Sequence, residues 1–331
     1  MRGLLIGFGS IGKSLVDALY RKLGLIRQVH PGFKLMGVAS SKGYVFNEDG
    51  LDLEALRRAA KINEYSGPGK MVEAPAIELI RYCDADVVFE ATPTNIVDGQ
   101  PGLTHIEEAL RRGMHVVTSN KGPLVVAYKR LVDLAASRGV ELKFEATVAG
   151  AIPIFSLVRY TLRGSEVRRV YGILNGTTNY ILTRMHFDGL SFEAALQEAR
   201  ERGIAERDPS YDVEGIDAAC KLVIVANAIM GREAKIGDVK RKGISSVTRE
   251  AVALARKAGY AIKLVASADS ELSVKPMLIP LNHPLCVHGV LNAVCIETDL
   301  AGTITVVGPG AGRETVAAMI NDLLTLPSKV G

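Results

Sequence analysis

The feature that most constrains this chain is a glycine pattern set between an apolar run and a helical one. Residues 2–6 read RGLLI, then comes Gly7-Phe8-Gly9-Ser10-Ile11-Gly12, and Lys13 to Arg21 carries helical periodicity. A lone GxGxxG marks many ordinary turns. After a strand and at the opening of a helix it has a physical meaning. The glycines allow a tight turn and a close approach of backbone to a pyrophosphate, and the helix N-terminus offers free N–H groups with a partial positive charge. Gly7, Gly9, Ser10, Ile11 and Gly12 are therefore candidate contacts to a dinucleotide.

Further apolar runs follow at Lys34–Ala39, Ala85–Ala91, Met114–Thr118 and Val140–Phe144, with amphipathic segments at Leu103–Arg112 and Leu124–Arg138 between them. Alternating strand and helix patterns predict an α/β fold with a Rossmann-type, doubly wound parallel sheet. The texture changes after Gly150. Strand-like runs at Glu166–Leu174, Ala261–Ala268, Ser273–Ile279 and Val287–Ile296 mix with helical ones at Phe192–Arg202, Gly215–Met230 and Val247–Lys257. That reads as an α+β unit with a mixed or antiparallel sheet. The expected division is a dinucleotide-binding domain at 1–146, rejoined by the helix of 308–331, and a substrate domain at 147–307.

The end of the second strand bears on the dinucleotide. An acidic residue there would accept from the adenosine ribose and favour NAD. This chain has Ser40-Ser41-Lys42 instead. Two hydroxyls and a cation suit a 2′-phosphate, so NADP is the expected cofactor, with NAD the alternative. Arg57, Arg58 or Lys61 would add a second cation if the following loop folds back.

Chemistry concentrates at residues 205–221, AERDPSYDVEGIDAACK. From Ile216 to Met230 the chain is apolar except for Asp217 and Lys221, which stand four apart and share one face of a helix. A helix apolar nearly all round is normally buried, and buried Asp and Lys are rare unless paired or used. Glu206, Asp208, Asp212 and Glu214 lie just ahead of it. The set reads as a site for a cationic or zwitterionic small molecule with a proton to move. The plain alternative is an ion pair that locks a helix into the core.

Composition closes other routes. The charged fraction is 23% and the net charge +4, with the basic residues dispersed, so no nucleic-acid-binding arm is expected. No stretch reaches the roughly 18 apolar residues of a membrane span. The four cysteines show neither CxxC spacing nor a metal-ligand cluster, which suits a cytoplasmic protein with reduced thiols.

Six segments in order then carry a resemblance to the homoserine dehydrogenase family over almost the whole length. They are GFGSIG, Thr118-Ser119-Asn120-Lys121-Gly122-Pro123, Glu145-Ala146-Thr147-Val148-Ala149-Gly150-Ala151-Ile152-Pro153, Asn175-Gly176-Thr177-Thr178-Asn179-Tyr180, the 205–221 block and the C-terminal GPGAG that ends at Gly312. The resemblance implies reversible oxidation of L-homoserine to L-aspartate 4-semialdehyde with NAD(P), in threonine, methionine and isoleucine biosynthesis. It implies Lys221 as proton donor and acceptor, Asp217 and Glu206 as substrate holders with Glu206 on the α-ammonium, and Lys121 between nicotinamide and substrate. Gly176 and Thr177 would lie against the substrate, and Asp212 would complete an acidic wall. Thr92, Ser119 and Gly312 would contact the cofactor. A monovalent cation, Na+ or K+, would sit on the carbonyls of Glu145, Val148, Gly150 and Ile152. The second domain would also mediate a homodimer. The chain ends directly after its last helix, so feedback through an added regulatory domain is not expected. Two rivals stay open: an aspartate-semialdehyde dehydrogenase, which would need a nucleophilic cysteine, and a non-catalytic NADP-binding sensor.

Overall fold

The computed structural model describes residues 1–312 and 314–327, and these divide into two compact units. The first runs from Met1 to Thr147 and resumes at Gly312, and the second is Val148–Ala311. None of the described helices is long and apolar enough to cross a membrane.

In the first unit β1 (Arg2–Ile6) leads through the glycine turn into α1 (Ser10–Val29), then β2 (Lys34–Ser40), β3 (Gly43–Phe46), α2 (Leu53–Arg58), β4 (Lys70–Val72), α3 (Ala76–Tyr82) and β5 (Val87–Glu90). There follow α4 (Gly102–Arg111), β6 (His115–Thr118), α5 (Lys121–Ser137) and β7 (Leu142–Lys143). The strands form one sheet in the order β4-β3-β2-β1-β5-β6-β7. β2, β1, β5, β6 and β7 run parallel to one another, as helical crossovers dictate. The parallel order gives way at one edge. Only Ser41 and Lys42 separate β2 from β3, too short for a crossover, so β3 returns antiparallel and β4 pairs antiparallel with it. The β7 strand is also shorter than the expected Val140–Phe144. Leu15, Val16, Leu19 and Ile26 of α1 pack with Leu5, Val38 and Phe89 in one core. The chain's last helix shares that core through Val316, Met319, Ile320 and Leu323.

In the second unit α6 (Ile154–Ser156) precedes β8 (Val167–Ile173), α7 (Gly176–Asp188), α8 (Phe192–Glu201), α9 (Ser210–Val213) and α10 (Ile216–Met230). Then come β9 (Val239–Arg241), α11 (Arg249–Lys257), β10 (Tyr260–Ala268), β11 (Leu272–Pro280), β12 (Leu291–Thr298) and β13 (Thr303–Pro309), before α12 (Glu314–Leu324) in the first unit. The sheet order is β13-β12-β8-β10-β11-β9, with only β9–β11 parallel. Two expectations shift. The run expected at Val287–Ile296 begins only at Leu291, because a turn comes first: the His288 carbonyl accepts from Leu291 N at 3.4 Å. Residues 303–309 were not expected as a strand, yet TITVVGP pairs with β12 from end to end. α10 is the buried helix of this unit, with every residue from Asp217 to Asn227 out of solvent.

Candidate active site

The site in the second unit is built where β8 ends and α7 begins. Asn175 sits between them in an extended conformation and caps α7, its Oδ1 accepting from Thr178 N at 2.8 Å. This is the ordinary work of an N-cap asparagine. The amide's other end faces the acidic residues. Asn175 Nδ2 donates to Asp212 Oδ1 at 2.7 Å and to Asp217 Oδ2 at 2.9 Å. One side chain thus fixes a helix terminus and orients two carboxylates.

Asp217 and Lys221 lie one turn apart on α10, 5% and 7% exposed. Lys221 Nζ is 2.8 Å from Asp217 Oδ2 and donates to the Leu174 carbonyl at 2.6 Å. An ammonium has three N–H donors. Two are taken, and the third has no partner among the described residues. The carboxylates beside it are crowded. Burial raises the Asp212 carboxyl above its ordinary value, and the nearby charge of Asp217 adds to this, while the Asn175 hydrogen bond and Lys221 pull it back.

The other expected substrate residues divide. Gly176 opens α7, and a Cβ there would fall 2.8 Å from the Val290 carbonyl, so the position holds only glycine without a shift of backbone. The Thr177 hydroxyl donates to the Ile204 carbonyl at 3.1 Å, tying α7 to the segment that carries Glu206. Glu206 itself is exposed and stands outside the hydrogen-bonded group of Asn175, Asp212, Asp217 and Lys221. Asp208 accepts from Ser210 N at 3.0 Å, and Glu214 accepts from the Ser245 hydroxyl at 2.8 Å. Asn175 was legible only as part of a motif; its role as the hub of the site was missed.

The first unit carries the residues expected to contact a nucleotide. Gly7 lies between β2 and β5, its N–H donating to the Ala39 carbonyl at 2.9 Å. Its φ is +106°, and a Cβ would meet the Ala91 carbonyl oxygen at 2.5 Å. A Cβ on Gly12 would meet the Gly7 carbonyl oxygen at 2.0 Å, so α1 approaches β1 only through glycine. The first turn of α1, with Ser10 and Ile11, has no acidic residue, and its N-cap Gly9 provides no side-chain cap. Those amides are open to an anion at the carboxyl ends of the parallel strands. Ser41 and Lys42 form the exposed hairpin tip after Ser40, whose hydroxyl accepts from Lys42 N at 3.1 Å. Arg57 and Arg58 are already engaged, on Asp17 at 2.7 Å and on Glu54.

Thr92, Ser119 and Lys121 sit after β5 and β6, and a residue absent from the sequence reading organises them. Glu90 is fully buried. Its carboxylate accepts from the Thr92 hydroxyl, from Thr92 N at 3.1 Å and from the Thr118 hydroxyl at 3.3 Å. Its carbonyl accepts from Ser119 N at 3.2 Å. Asn120 caps α5 through Gly122 N at 3.0 Å and donates to the Thr92 hydroxyl at 3.2 Å, so Lys121 leaves from a pinned helix terminus. The signal was present as one acid inside the apolar run ADVVFEA.

Of the expected cation carbonyls, Glu145 belongs to a short turn of the first unit, where its N–H donates to Asp322 at 3.0 Å. Val148, Gly150 and Ile152 belong to the second unit, in a buried turn where Ala149 and Gly150 have φ of +57° and +59°. The Ile152 carbonyl also accepts from Ile154 N at 2.9 Å. No group of three His, Cys, Asp or Glu side chains that could hold a metal occurs among the described residues. Three of the four thiols are buried, and Cys286 is half-buried. Burial pushes Cys83 up to about 11 and raises Cys286, while Cys220 is buried against the Tyr211 hydroxyl at 3.4 Å. That removes the main requirement of the thioester rival.

Comparison with known proteins agrees with this layout. Residues 7–145 match the family model described as "Homoserine dehydrogenase, NAD binding domain", and residues 153–324 the one described as "Homoserine dehydrogenase". The homoserine dehydrogenase of Methanocaldococcus jannaschii is 48% identical over 327 residues, 97% of each chain. An NAD(+)-dependent homoserine dehydrogenase of Pseudomonas canavaninivorans is 38% identical over 97% of this chain and 94% of that one. A solved Archaeoglobus fulgidus structure assigned to the same family superposes with a TM-score of 0.90 at 44% identity, over 98% of both chains. A mutant hyperthermophilic archaeal homoserine dehydrogenase in complex with NADPH gives 0.83 at 28% identity, over 98% of this chain and 97% of that one.

The crowding of carboxylates yields a stability test. A carboxyl whose folded value is raised favours the fold below its unfolded value, and that contribution is lost as pH rises through the folded value. At neutral pH Asp212 is therefore a cost. Asp212→Asn keeps the shape and should raise the thermal midpoint at pH 7 by roughly 2–4 °C, the effect of about 1 kcal/mol in a unit of this size. The gain should vanish as pH falls below about 4. A midpoint lowered at pH 7 in thermal unfolding would show that the charge stabilises the fold.

Proposed function

The chain belongs to the homoserine dehydrogenase family and is an NAD(P)-dependent oxidoreductase, and on that premise we propose that Lys221 carries the proton transfer of L-homoserine oxidation to L-aspartate 4-semialdehyde. The observation that carries this reading is the buried ammonium of Lys221 with one donor unspent. The bound nicotinamide supplies the hydride acceptor, or the donor in the reverse direction. In the oxidation Lys221 enters as the neutral amine: when the carbinol carbon gives up hydride, its hydroxyl loses a proton, and the amine takes it to become the ammonium held by Asp217 and the Leu174 carbonyl. In reverse Lys221 returns the proton to the aldehyde oxygen, where negative charge develops. Asp217 and the Leu174 carbonyl hold the Nζ in place, which removes most of the freedom of a four-carbon side chain.

The substrate is a zwitterion. Asp212 and Glu206 supply the negative charge for its α-ammonium. The N-terminal turn of α7, beginning at Gly176 and Thr177, supplies amide donors and a positive dipole end for its α-carboxylate. Lys121 stands at the N-terminus of α5 on the nucleotide side. We assign Gly7, Gly9, Ser10, Ile11, Gly12, Thr92, Ser119 and Gly312 to the dinucleotide, and Ser40, Ser41 and Lys42 to a 2′-phosphate. A Na+ or K+ ion on the carbonyls of Glu145, Val148, Gly150 and Ile152 is part of the same reading; the buried left-handed turn offers oxygen ligands of the kind a hard cation takes. Activity in Na+ or K+ equal to that in a bulky organic cation, at matched ionic strength, would remove it. A cytoplasmic homodimer serving threonine, methionine and isoleucine synthesis completes the proposal, with the dimer resting on the family and on the frequency of two-fold assemblies.

Two measurements test the core of this reading. Lys221→Ala should lower kcat by roughly 10²-fold or more, the range for a lost general acid–base, while Glu206→Gln should raise KM for homoserine with kcat little changed. Near-normal kcat in the lysine variant returns Lys221 to a structural ion pair. The cofactor assignment is read by titration. NADPH should bind more tightly than NADH, and Lys42→Ala should narrow the gap by about tenfold, as for one charge-assisted hydrogen bond of roughly 1.5–3 kcal/mol partly offset by solvation. A ratio unmoved by that substitution places the 2′-phosphate elsewhere. Tight NADP binding remains compatible with turnover on NAD if release is slow.

A further inference from the structure

The second unit buries another lysine, one that the reaction above does not use. Lys263, in β10, is 1% exposed. Its Nζ donates to Asn179 Oδ1 at 2.7 Å and lies 3.4 Å from Thr183 Oγ1 and 3.5 Å from His288 Nδ1. Among the described residues no carboxylate pairs with it. Burial pushes the amine down to about 8, with the Cys286 thiol opposing the shift. A buried amine without a counter-ion is costly to keep, so what it holds is informative.

The groups around it belong to two segments. Asn179 and Thr183 are on α7, one turn apart, while His288 opens a strap running to Leu291. The same two α7 residues bind the strap directly. Asn179 Nδ2 donates to the Leu291 carbonyl at 3.0 Å, and Thr183 Oγ1 accepts from Gly289 N at 3.1 Å. Phe187, the next residue along this face, packs its ring against His288 at 4.8 Å between centroids. The strap in turn reaches the site. The Val290 carbonyl oxygen lies 2.8 Å from where a Cβ of Gly176 would be, and Gly176 follows Asn175 at the start of α7.

We propose that Lys263 is a positioning residue: its ammonium clamps α7 and the 288–291 strap to β10, and so holds Asn175 and Gly176 where the substrate binds. Asn179 spends both ends of its amide here, the oxygen on Lys263 and the nitrogen on the strap. Removing the cation leaves that oxygen buried and unpaired, and the amide is free to turn away from the strap. The inference rests on the reading of the α7 N-terminus as part of the substrate site.

Two readouts separate the clamp from that reading. Lys263→Met keeps the stem and removes the donors, and Lys263→Arg restores a cation. Amide hydrogen exchange at 175–183 and 288–291 should quicken about tenfold in Lys263→Met, the scale of hydrogen bonds to a charged group, with 217–227 unchanged and Lys263→Arg partly protected. In steady state the KM for homoserine should rise about tenfold, with kcat within about threefold and NADPH affinity within about twofold. Wild-type exchange in both segments overturns the clamp, as does a uniform quickening across the unit. Local quickening with an unchanged KM overturns its link to substrate binding. A wild-type enzyme that does not oxidise homoserine overturns the proposed function, while the exchange data still judge the clamp. Should Lys263→Met fail to fold, Thr183→Val removes the bond to Gly289 and leaves Lys263 on Asn179. It should quicken exchange at 288–291 about threefold, and no change there overturns the proposal.

Discussion

The second unit depends on keeping a Lys–Asp pair out of water. Burying Lys221 and Asp217 together is stable only if the remaining hydrogen-bonding capacity of each is met. The Leu174 carbonyl and the Asn175 amide meet part of it. Both come from the link between β8 and α7, so the strand must stop and the helix must start at that point. An asparagine cap does three things there at once: it ends the strand, closes the first turn of α7 and turns its nitrogen to two carboxylates. The position of α10 in the core, the cap and the chemistry are one constraint.

The same logic operates in the first unit with an anion in place of the ion pair. Glu90 is fully buried, and its carboxylate and carbonyl knit the ends of β5 and β6 through Thr92, Thr118 and Ser119. Those strand ends carry the residues assigned to cofactor. Opposite them, the glycines at 7 and 12 let α1 approach β1 more closely than any side chain would allow. A rigid polar hub lies at the ends of β5 and β6, and a bare backbone surface at the turn between β1 and α1.

Much of this was legible in the sequence because it is local. A GxGxxG between a strand pattern and a helix pattern, alternating apolar runs, and an Asp and Lys four apart in an apolar helix are short-range signals. They specify the doubly wound unit, the buried helix and the pairing of Asp217 with Lys221. What was not legible depends on partners far apart in the chain. Asn175 stands in the sequence only as part of a motif, and nothing near it announces carboxylates 37 and 42 residues on. Lys263 reads as an ordinary strand lysine, and only its burial against Asn179, 84 residues earlier, makes it exceptional. Glu206 shows the converse. Its motif places it with the other acids, yet the fold leaves it exposed and apart from the buried group.

The sequence by itself therefore determined the two kinds of layering, the glycine turn after β1 and the Asp217–Lys221 pair of the buried helix. Each of these rests on backbone conformation and on side-chain spacing within one element. Tertiary structure alone decided the pairing of β4 with β3, the existence of β13, and which polar groups share the buried site. Antiparallel pairing at a sheet edge is stabilised by whichever neighbour is already in place. A buried polar group is tolerated only where the completed fold brings it a partner, and that partner can come from any distance along the chain.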